Sequence, residues 1–254
     1  MYNWKSATAD YNINTKNHYK KRNRMKYQLE TIPIWDTYEK ETECPLCFLQ
    51  QKLEKQNISF FLGSSVMEPD IRKKVNESGF CQTHFTMLYD EGNRLSLSLM
   101  IHSHLLLLLK GLGKFKKNLG HKSYTEYILS LKNKKYECVL CRRLEKALKR
   151  YTFTIVYLWK KEEEFRDTFQ KSRGFCFSHF SDCISMADEV LSSKKKDQFL
   201  QEIYTLQMKN LVRIEEDIHW FIQKHDYKNS DKSWKNSKDA PKRTIQKLIG
   251  KIPR

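Results

Sequence analysis

The chain has 254 residues, a formal net charge of +17 and an apolar share of 39%. This length is enough for one large domain or two smaller ones, each stable without disulfides. Residues 1–26 contain no apolar stretch followed by a cleavage site, so we expect no secretory signal and a cytoplasmic protein. In that reducing compartment seven cysteines, an odd number, do not indicate a disulfide framework.

Three segments carry the excess positive charge: residues 1–24 (+5), 110–135 (+7) and 224–254 (+7). The remaining residues sum to −2, so the body of the protein is nearly neutral. Basic segments of this kind favour a polyanionic partner, which could be a nucleic acid, an acidic protein or an anionic membrane surface. A role in solubility alone is an open alternative.

The first half of the chain is predicted to contain an arm followed by helices. Residues 1–24 are polar, basic and without periodicity, which predicts a disordered arm. Pro45 suits the first turn of a helix. The apolar run from Leu95 to Leu109 is too short and too interrupted to cross a membrane, so we predict a buried helix there. His102 and His104 in this run are interpreted as hydrogen-bonded core residues.

The second half has the pattern of long amphipathic helices. Apolar residues recur every three or four positions from Leu140 to Leu158, which predicts a helix that begins near Cys138. The same rhythm continues in a last long helix. Its stripe comprises Leu200, Tyr204, Gln207, Leu211, Ile214, Ile218 and Phe221. Gln207 is the polar interruption, and we expect its amide to be bonded within the packing.

The tail is predicted to be loose from residue 228 to residue 240 and then helical. Pro241 can start a short helix that ends at Gly250. No segment of the chain shows sustained period-two alternation, and only eight glycines and five prolines punctuate it. These features predict an all-α fold.

Two cysteine and histidine motifs each occur twice. The first half has E-C-P-L-C at 43–47 and, after 33 intervening residues, C-Q-T-H at 81–84. The second half has E-C-V-L-C at 137–141 and, after 34 intervening residues, C-F-S-H at 176–179. The candidate ligands are Cys44, Cys47, Cys81, His84, Cys138, Cys141, Cys176 and His179. Self-similarity at a fixed spacing predicts an internal duplication.

The spacing of these motifs matches what a tetrahedral metal ion requires. Two cysteines separated by two residues can share one ion, and a histidine three positions after a cysteine lies on the same helical face. Three thiolates and one imidazole form a closed set for Zn²⁺, so we predict two structural zinc ions per chain. An iron–sulfur cluster is the alternative metal group. Each half could hold its own ion, or the halves could exchange ligand pairs; equal spacing favours the first arrangement.

These motifs divide the chain into two tandem modules with flexible basic ends. The predicted boundaries are 1–24 for the arm, 25–109 for the first module, 110–135 for a basic connector, 136–227 for the second module and 228–254 for a tail with a short helix. If all four motifs begin helices, the ligands lie at helix N-termini, where the helix dipole favours thiolates.

The chain resembles an uncharacterised bacterial protein family with a W-D-x-[FY] segment before C-P-L-C, followed by G-F-C-x-x-H, a second C-x-L-C and a second G-F-C-x-x-H. Here the first segment is Trp35 to Tyr38, and the G-F-C-x-x-H motifs lie at 79–84 and 174–179. The similarity extends from about residue 25 to residue 250. It implies the same ligands and boundaries, and it implies no activity.

No sequence motif indicates a catalytic role, because G-x-S-x-G, H-E-x-x-H and a complete phosphate loop are all absent. Cys183 lies on the helical face of His179 and is interpreted as a buried thiol. We predict a binding protein whose basic segments engage a nucleic acid or an acidic protein. A metallothiolate redox sensor, an iron–sulfur protein and, more weakly, a zinc hydrolase are the alternatives.

Overall fold

The computed structural model describes residues 30–117, 125–126, 129 and 138–250, and this part of the chain contains ten α-helices and no strand. The helices are α1 (Thr31–Tyr38), α2 (Pro45–Leu62), α3 (Pro69–Ser78), α4 (Gln82–Asp90), α5 (Arg94–Lys117), α6 (Val139–Lys161), α7 (Glu163–Lys171), α8 (Phe177–Val190), α9 (Ser193–Lys224) and α10 (Ala240–Ile249). Short 3₁₀ turns occupy Ser64–Met67 and Tyr227–Asn229. The predicted all-α class is confirmed. The predicted arm and most of the predicted connector lie outside the described residues.

The larger hydrophobic cluster joins helices α1 and α2 to helices α6–α9. Ile34 of α1 and Leu46 of α2 pack with Trp159, Phe169 and Phe199 from the second half. Aromatic rings fill much of this cluster, and the Trp159 and Phe199 rings meet edge to face at 5.0 Å. The first helices are therefore part of a core built mainly by the second half.

The smaller hydrophobic cluster lies at the other end of α2. It contains Phe61 of α2, Phe80, and Leu88 of α4, together with Leu140 and Leu144 at the start of α6. Helices α2 and α6 thus pack against each other and pass through both clusters. Each cluster draws residues from both halves of the sequence.

The long helix α9 forms as predicted, but its buried face is rotated from the predicted stripe. Phe199, Ile203 and Asn210 are buried, whereas Tyr204 is exposed. The buried face is set by the positions of α8 and of the larger cluster, and the spacing of apolar residues along one helix does not show where those neighbours lie. Gln207 is buried, and its amide bonds both backbone groups of Phe175, as expected.

The helix at the end of the basic tail packs against the body of the protein. Residues 228–250 are described, and α10 packs against α8 and α9. Its Arg243 forms ion pairs with Asp217 and Asp239. Lys247 is only 1% exposed. The short helix predicted after Pro241 is therefore present as α10 and is held against the body by ion pairs, while the expectation that residues 228–240 are loose stays a prediction.

The predicted burial of the apolar run in α5 is also wrong. Leu97 and Met100 are buried, but Leu105 and Leu109 are each 53% exposed. By length and composition the segment Arg94–Gly113 could cross a membrane, and only 11% of its most apolar window is buried. The prediction of a helix is therefore confirmed, whereas the prediction that this helix is buried is wrong.

Candidate metal centres

Each of the four cysteine motifs begins a helix, so the condition for ligands at helix N-termini is met. Cys44, Cys81, Cys138 and Cys176 are the residues immediately before α2, α4, α6 and α8. The Cys47 backbone N–H donates to the Cys44 sulfur, and Cys141 repeats this contact with Cys138. Unpaired N–H groups at a helix start therefore point toward the sulfur atoms, which favours their ionised form.

Centre 1 comprises Cys44 and Cys47 from α2 with Cys176 and His179 from α8. The His179 Nδ1 atom lies 3.4 Å from each of the Cys44 and Cys47 sulfurs and 3.3 Å from that of Cys176. The sulfurs of Cys47 and Cys176 are 3.5 Å apart. All four side chains are buried.

Centre 2 comprises Cys81 and His84 from α4 with Cys138 and Cys141 from α6. The His84 Nδ1 atom lies 3.2 Å from the sulfurs of Cys81 and Cys138 and 3.3 Å from that of Cys141. The sulfurs of Cys81 and Cys141 are 3.8 Å apart. The Cys141 side chain is exposed, so this centre is open to solvent on one side.

The ligand pairs are exchanged between the two halves. The first C-x-x-C meets the second C-x-x-H in centre 1, and the second C-x-x-C meets the first C-x-x-H in centre 2. The arrangement favoured by equal spacing, with one group per half, is therefore wrong. The physical reason is that α2 packs lengthwise against α6, which places the first C-x-x-C beside α8.

Both groups have the dimensions of a tetrahedral ion site. Zinc–sulfur bonds of about 2.3 Å and zinc–nitrogen bonds of about 2.0–2.1 Å place neighbouring ligand atoms roughly 3.5–3.8 Å apart in a tetrahedron. The contacts above span 3.2–3.8 Å, and within each group all ligand atoms lie within 4.8 Å of one another. Three sulfurs and one nitrogen thus surround a point at which one ion fits.

The cysteine sulfurs that face the two histidines raise the pKa of each imidazole, which favours its protonated form. Burial lowers the pKa of His84, but contacts with Cys138 and Glu54 outweigh burial and raise it to about 10. Burial likewise opposes charge on His179, whose contacts with Cys176 and Cys44 raise its pKa to about 10. A metal ion would have to displace these protons, so metal binding at both groups is coupled to pH.

Glu54 is a site residue that the sequence analysis missed. Its Oε1 atom lies 3.2 Å from His84 Nε2, and both side chains are buried. A carboxylate on the far nitrogen fixes the ring so that Nδ1 faces the sulfurs. Glu54 belongs to α2, the helix that begins at centre 1, so this one helix supports both centres. Only the fold brings Glu54 to His84, since 30 residues separate them.

Glu43, the residue before the first ligand, is a buried carboxylate at the centre of a partly exposed ion-pair network that the sequence analysis also missed. Its carboxylate lies 2.6 Å from Arg213 Nη2, 3.4 Å from Arg173 Nη1 and 3.6 Å from Lys247 Nζ. The Lys247 ammonium also donates to the Glu43 backbone carbonyl at 2.7 Å. The helix α10 is thereby attached directly beside centre 1.

Gly250 completes the cover of centre 1. Its φ is +87°, and a side chain added there would lie 3.4 Å from the Cys176 sulfur and 3.6 Å from that of Cys47. The end of α10 therefore lies against two candidate ligands. Centre 1 is enclosed by the tail, whereas centre 2 has no such cover among the described residues.

A cleft of about 570 Å³ lies between the two centres and is lined by residues of both. Cys141 and His84 reach it from centre 2, and Cys176 and His179 reach it from centre 1. Cys183, predicted to be a buried thiol, is fully buried, and burial raises its pKa.

The two histidines of the leucine run differ from each other. His104 bonds the Asn76 carbonyl at 2.8 Å, while His102 is exposed rather than part of the core. Neither belongs to a metal group among the described residues.

The fold and these groups define an all-helical protein with two Cys₃His groups of metal-binding geometry. The chain belongs to a family of unknown function, DUF6062, which matches residues 25–254. It is 23% identical over 192 residues to an "uncharacterized 23.9 kDa protein in xynA 3'region" of Caldicellulosiruptor sp. (strain Rt8B.4). That alignment covers 75% of this chain and 86% of the relative. No solved structure matches the chain.

Proposed function

We propose that the protein binds two Zn²⁺ ions, one in each centre, and that both ions are structural. The observation that carries this proposal is the presence of two groups of three sulfurs and one imidazole nitrogen at tetrahedral distances. A closed set of four protein ligands leaves no position for water or substrate, which is typical of structural zinc.

The ligand distances favour single ions over iron–sulfur clusters. Sulfurs of Cys47 and Cys176 that lie 3.5 Å apart can share one ion, and they leave no space for several iron and sulfide atoms between them. Clusters also prefer four cysteines, whereas each group here contains one histidine. Zinc suits mixed thiolate and imidazole ligands.

The proposed ions tie distant parts of the chain together. Centre 1 joins residues 129 or more positions apart, and centre 2 joins residues 54 to 60 apart. Binding at such sites contributes on the order of 10 kcal/mol per ion to folding. The exchange of pairs is consistent with two duplicated modules, residues 25–109 and 136–227, that interlock through their motifs.

Elemental analysis of anaerobically purified protein, with an absorption spectrum, tests the metal assignment. We expect two zinc ions per chain and no visible absorption band. Bound iron together with a broad absorption band at about 400 nm would instead support an iron–sulfur cluster in place of zinc. Folded protein with no transition metal would refute the proposal.

We further propose that basic segments engage a polyanion, either a nucleic acid or an acidic protein, while the zinc ions keep the body rigid. The net charge of +17 supports this role. Buried pairing of Arg243 and Lys247 removes two tail cations from the available charge. Phosphate binding predicts that log affinity for nucleic acid falls linearly with log salt concentration, and binding that is unaffected by salt would contradict it.

A redox sensor is the second candidate, and the exposed thiol of Cys141 is the observation that favours it. A thiolate open to solvent is accessible to an oxidant that would break the ligand set. Treatment with dilute peroxide and titration of released zinc tests this candidate. Full retention of zinc would exclude it.

A further inference from the structure

We propose that the exposed apolar part of α5 docks on an anionic lipid surface. Among the described residues, 20 large apolar side chains are strongly exposed, and seven of them belong to this one helix. Monomeric soluble proteins rarely expose contiguous apolar patches of more than a few hundred Å². A surface of this kind marks a site of interaction.

The first part of α5 is attached to the body by hydrogen bonds, and most of the described side chains after His104 are exposed. Ser103 donates to the Asn76 side chain at 2.8 Å, and His104 bonds the Asn76 carbonyl. Within the described chain, the side-chain hydrogen bonds between α5 and α3 extend no further than His104. The 13 residues from there to Lys117 extend roughly 20 Å at the α-helical rise per residue.

The apolar side chains of this exposed part occur on more than one side of the helix. Leu105, Leu109 and Leu112 follow helical spacing and share one face, whereas Leu106 and Leu107 lie on other faces. A single protein groove covers one face of a helix. Lipid can contact several sides at once, so this distribution favours lipid over one partner surface.

The charge of α5 favours an anionic surface over a second copy of the chain. The helix contains Arg94, Lys110, Lys114, Lys116 and Lys117 and no acidic residue, which gives it a charge of +5. Two copies that paired along this helix would place ten cations together in a dimer of chains that are each +17. Anionic headgroups would instead neutralise these cations.

The docking that fits these contacts is interfacial rather than membrane-spanning. Leu97 and Met100 are buried in the body, so the first turns of α5 cannot enter a bilayer without losing that packing. The exposed part of α5 can enter the acyl boundary with several of its sides, while lysine side chains extend to the headgroups. The lipid-facing part is therefore residues 105–113.

Vesicle co-sedimentation of the full-length, zinc-loaded protein tests this proposal. We expect at least about tenfold stronger partitioning onto phosphatidylcholine vesicles that contain phosphatidylglycerol than onto pure phosphatidylcholine. The double substitution Leu105→Ser and Leu109→Ser should weaken that partitioning at least about tenfold, because it removes two large apolar side chains without changing the charge. Both residues are exposed, so the fold should tolerate the change.

The matched control replaces Val212 and Leu248 by Ser, since their exposed fractions, 51% and 53%, are close to the 53% of each tested leucine. The control should bind vesicles like the original protein. Equal losses in both variants would overturn the proposal. Absence of vesicle binding would also overturn it. Light scattering that then shows a dimer, broken by the leucine variant, would identify a second copy of the chain as the partner of α5. Zinc content, measured on the same samples, reports separately on the proposed metal function.

Discussion

The buried carboxylate of Glu43 permits a sharp test of how centre 1 is held. Arg173 contacts two acidic residues through different nitrogens: Glu43 at 3.4 Å and Glu41 at 2.6 Å. The Glu43 side chain is 3% exposed, whereas that of Glu41 is 85% exposed. The two carboxylates thus share one arginine but differ in burial, which makes Glu41→Gln a matched control for Glu43→Gln.

The expected magnitudes follow from burial. Glu43→Gln leaves Lys247, which is 1% exposed, and the facing arginines without their shared counter-charge. Removing one partner of a buried ion pair costs about 3–5 kcal/mol, whereas an exposed pair contributes about 0–1 kcal/mol. We therefore expect Glu43→Gln to lower the free energy of unfolding by about 3–5 kcal/mol and Glu41→Gln by at most about 1 kcal/mol.

Urea unfolding of zinc-loaded protein, followed by circular dichroism, measures both variants, and metal analysis shows whether centre 1 keeps its ion. Loss of α10 from the body should also weaken zinc retention in the Glu43 variant, because Gly250 would no longer cover Cys176. Equal stability losses for the two variants would refute the reasoning that burial of Glu43 determines its contribution.

Three further predictions concern the backbone and the ligands. Gly174→Ala should lower the free energy of unfolding, measured in urea, by about 2–4 kcal/mol, because φ is +72° and the new Cβ would lie 2.9 Å from Gln207 Oε1. Its control is Gly113→Ala, which lies in a helix with open space around it and should be neutral or stabilising. Limited alkylation should modify Cys141 first, and mass spectrometry with zinc titration should show one ion released before the other. Both ions should be lost as pH falls below about 5, because protons compete with the metal for thiolates and imidazoles. A chromogenic chelator would detect the released metal, and retention of the ions at pH 4 would contradict the ligand assignment.

The candidate ligands and the helix starts could be predicted because they depend on local sequence. A C-x-x-C motif with Pro45 directly after the first cysteine favours a helix start, and α2 does begin directly after Cys44. The glycine at position 174, just before the second C-x-x-H motif, is explained in part by local structure, because its backbone has a positive φ. The need for glycine there also depends on Gln207, a residue 33 positions away that contacts the same loop.

The pairing of the ligands could not be predicted, because spacings of 33 and 34 residues are compatible with either arrangement. The choice depends on packing between α2 and α6, whose contacts join distant parts of the chain. The same limitation applies to Glu43 and Glu54, which become buried polar partners only in the folded state. For α5, apolar composition indicated a helix but could not show that Leu105 and Leu109 would remain uncovered.

Exchange of ligand pairs between the halves is the central claim, and zinc stoichiometry of double variants tests it most directly. Cys44→Ser combined with Cys176→Ser removes two ligands of centre 1, so this variant should retain one zinc ion per chain. Cys44→Ser combined with Cys81→Ser affects both centres and should lose both ions. The opposite result, with both ions lost in the first variant and one retained in the second, would show that each half binds its own ion and would contradict the account.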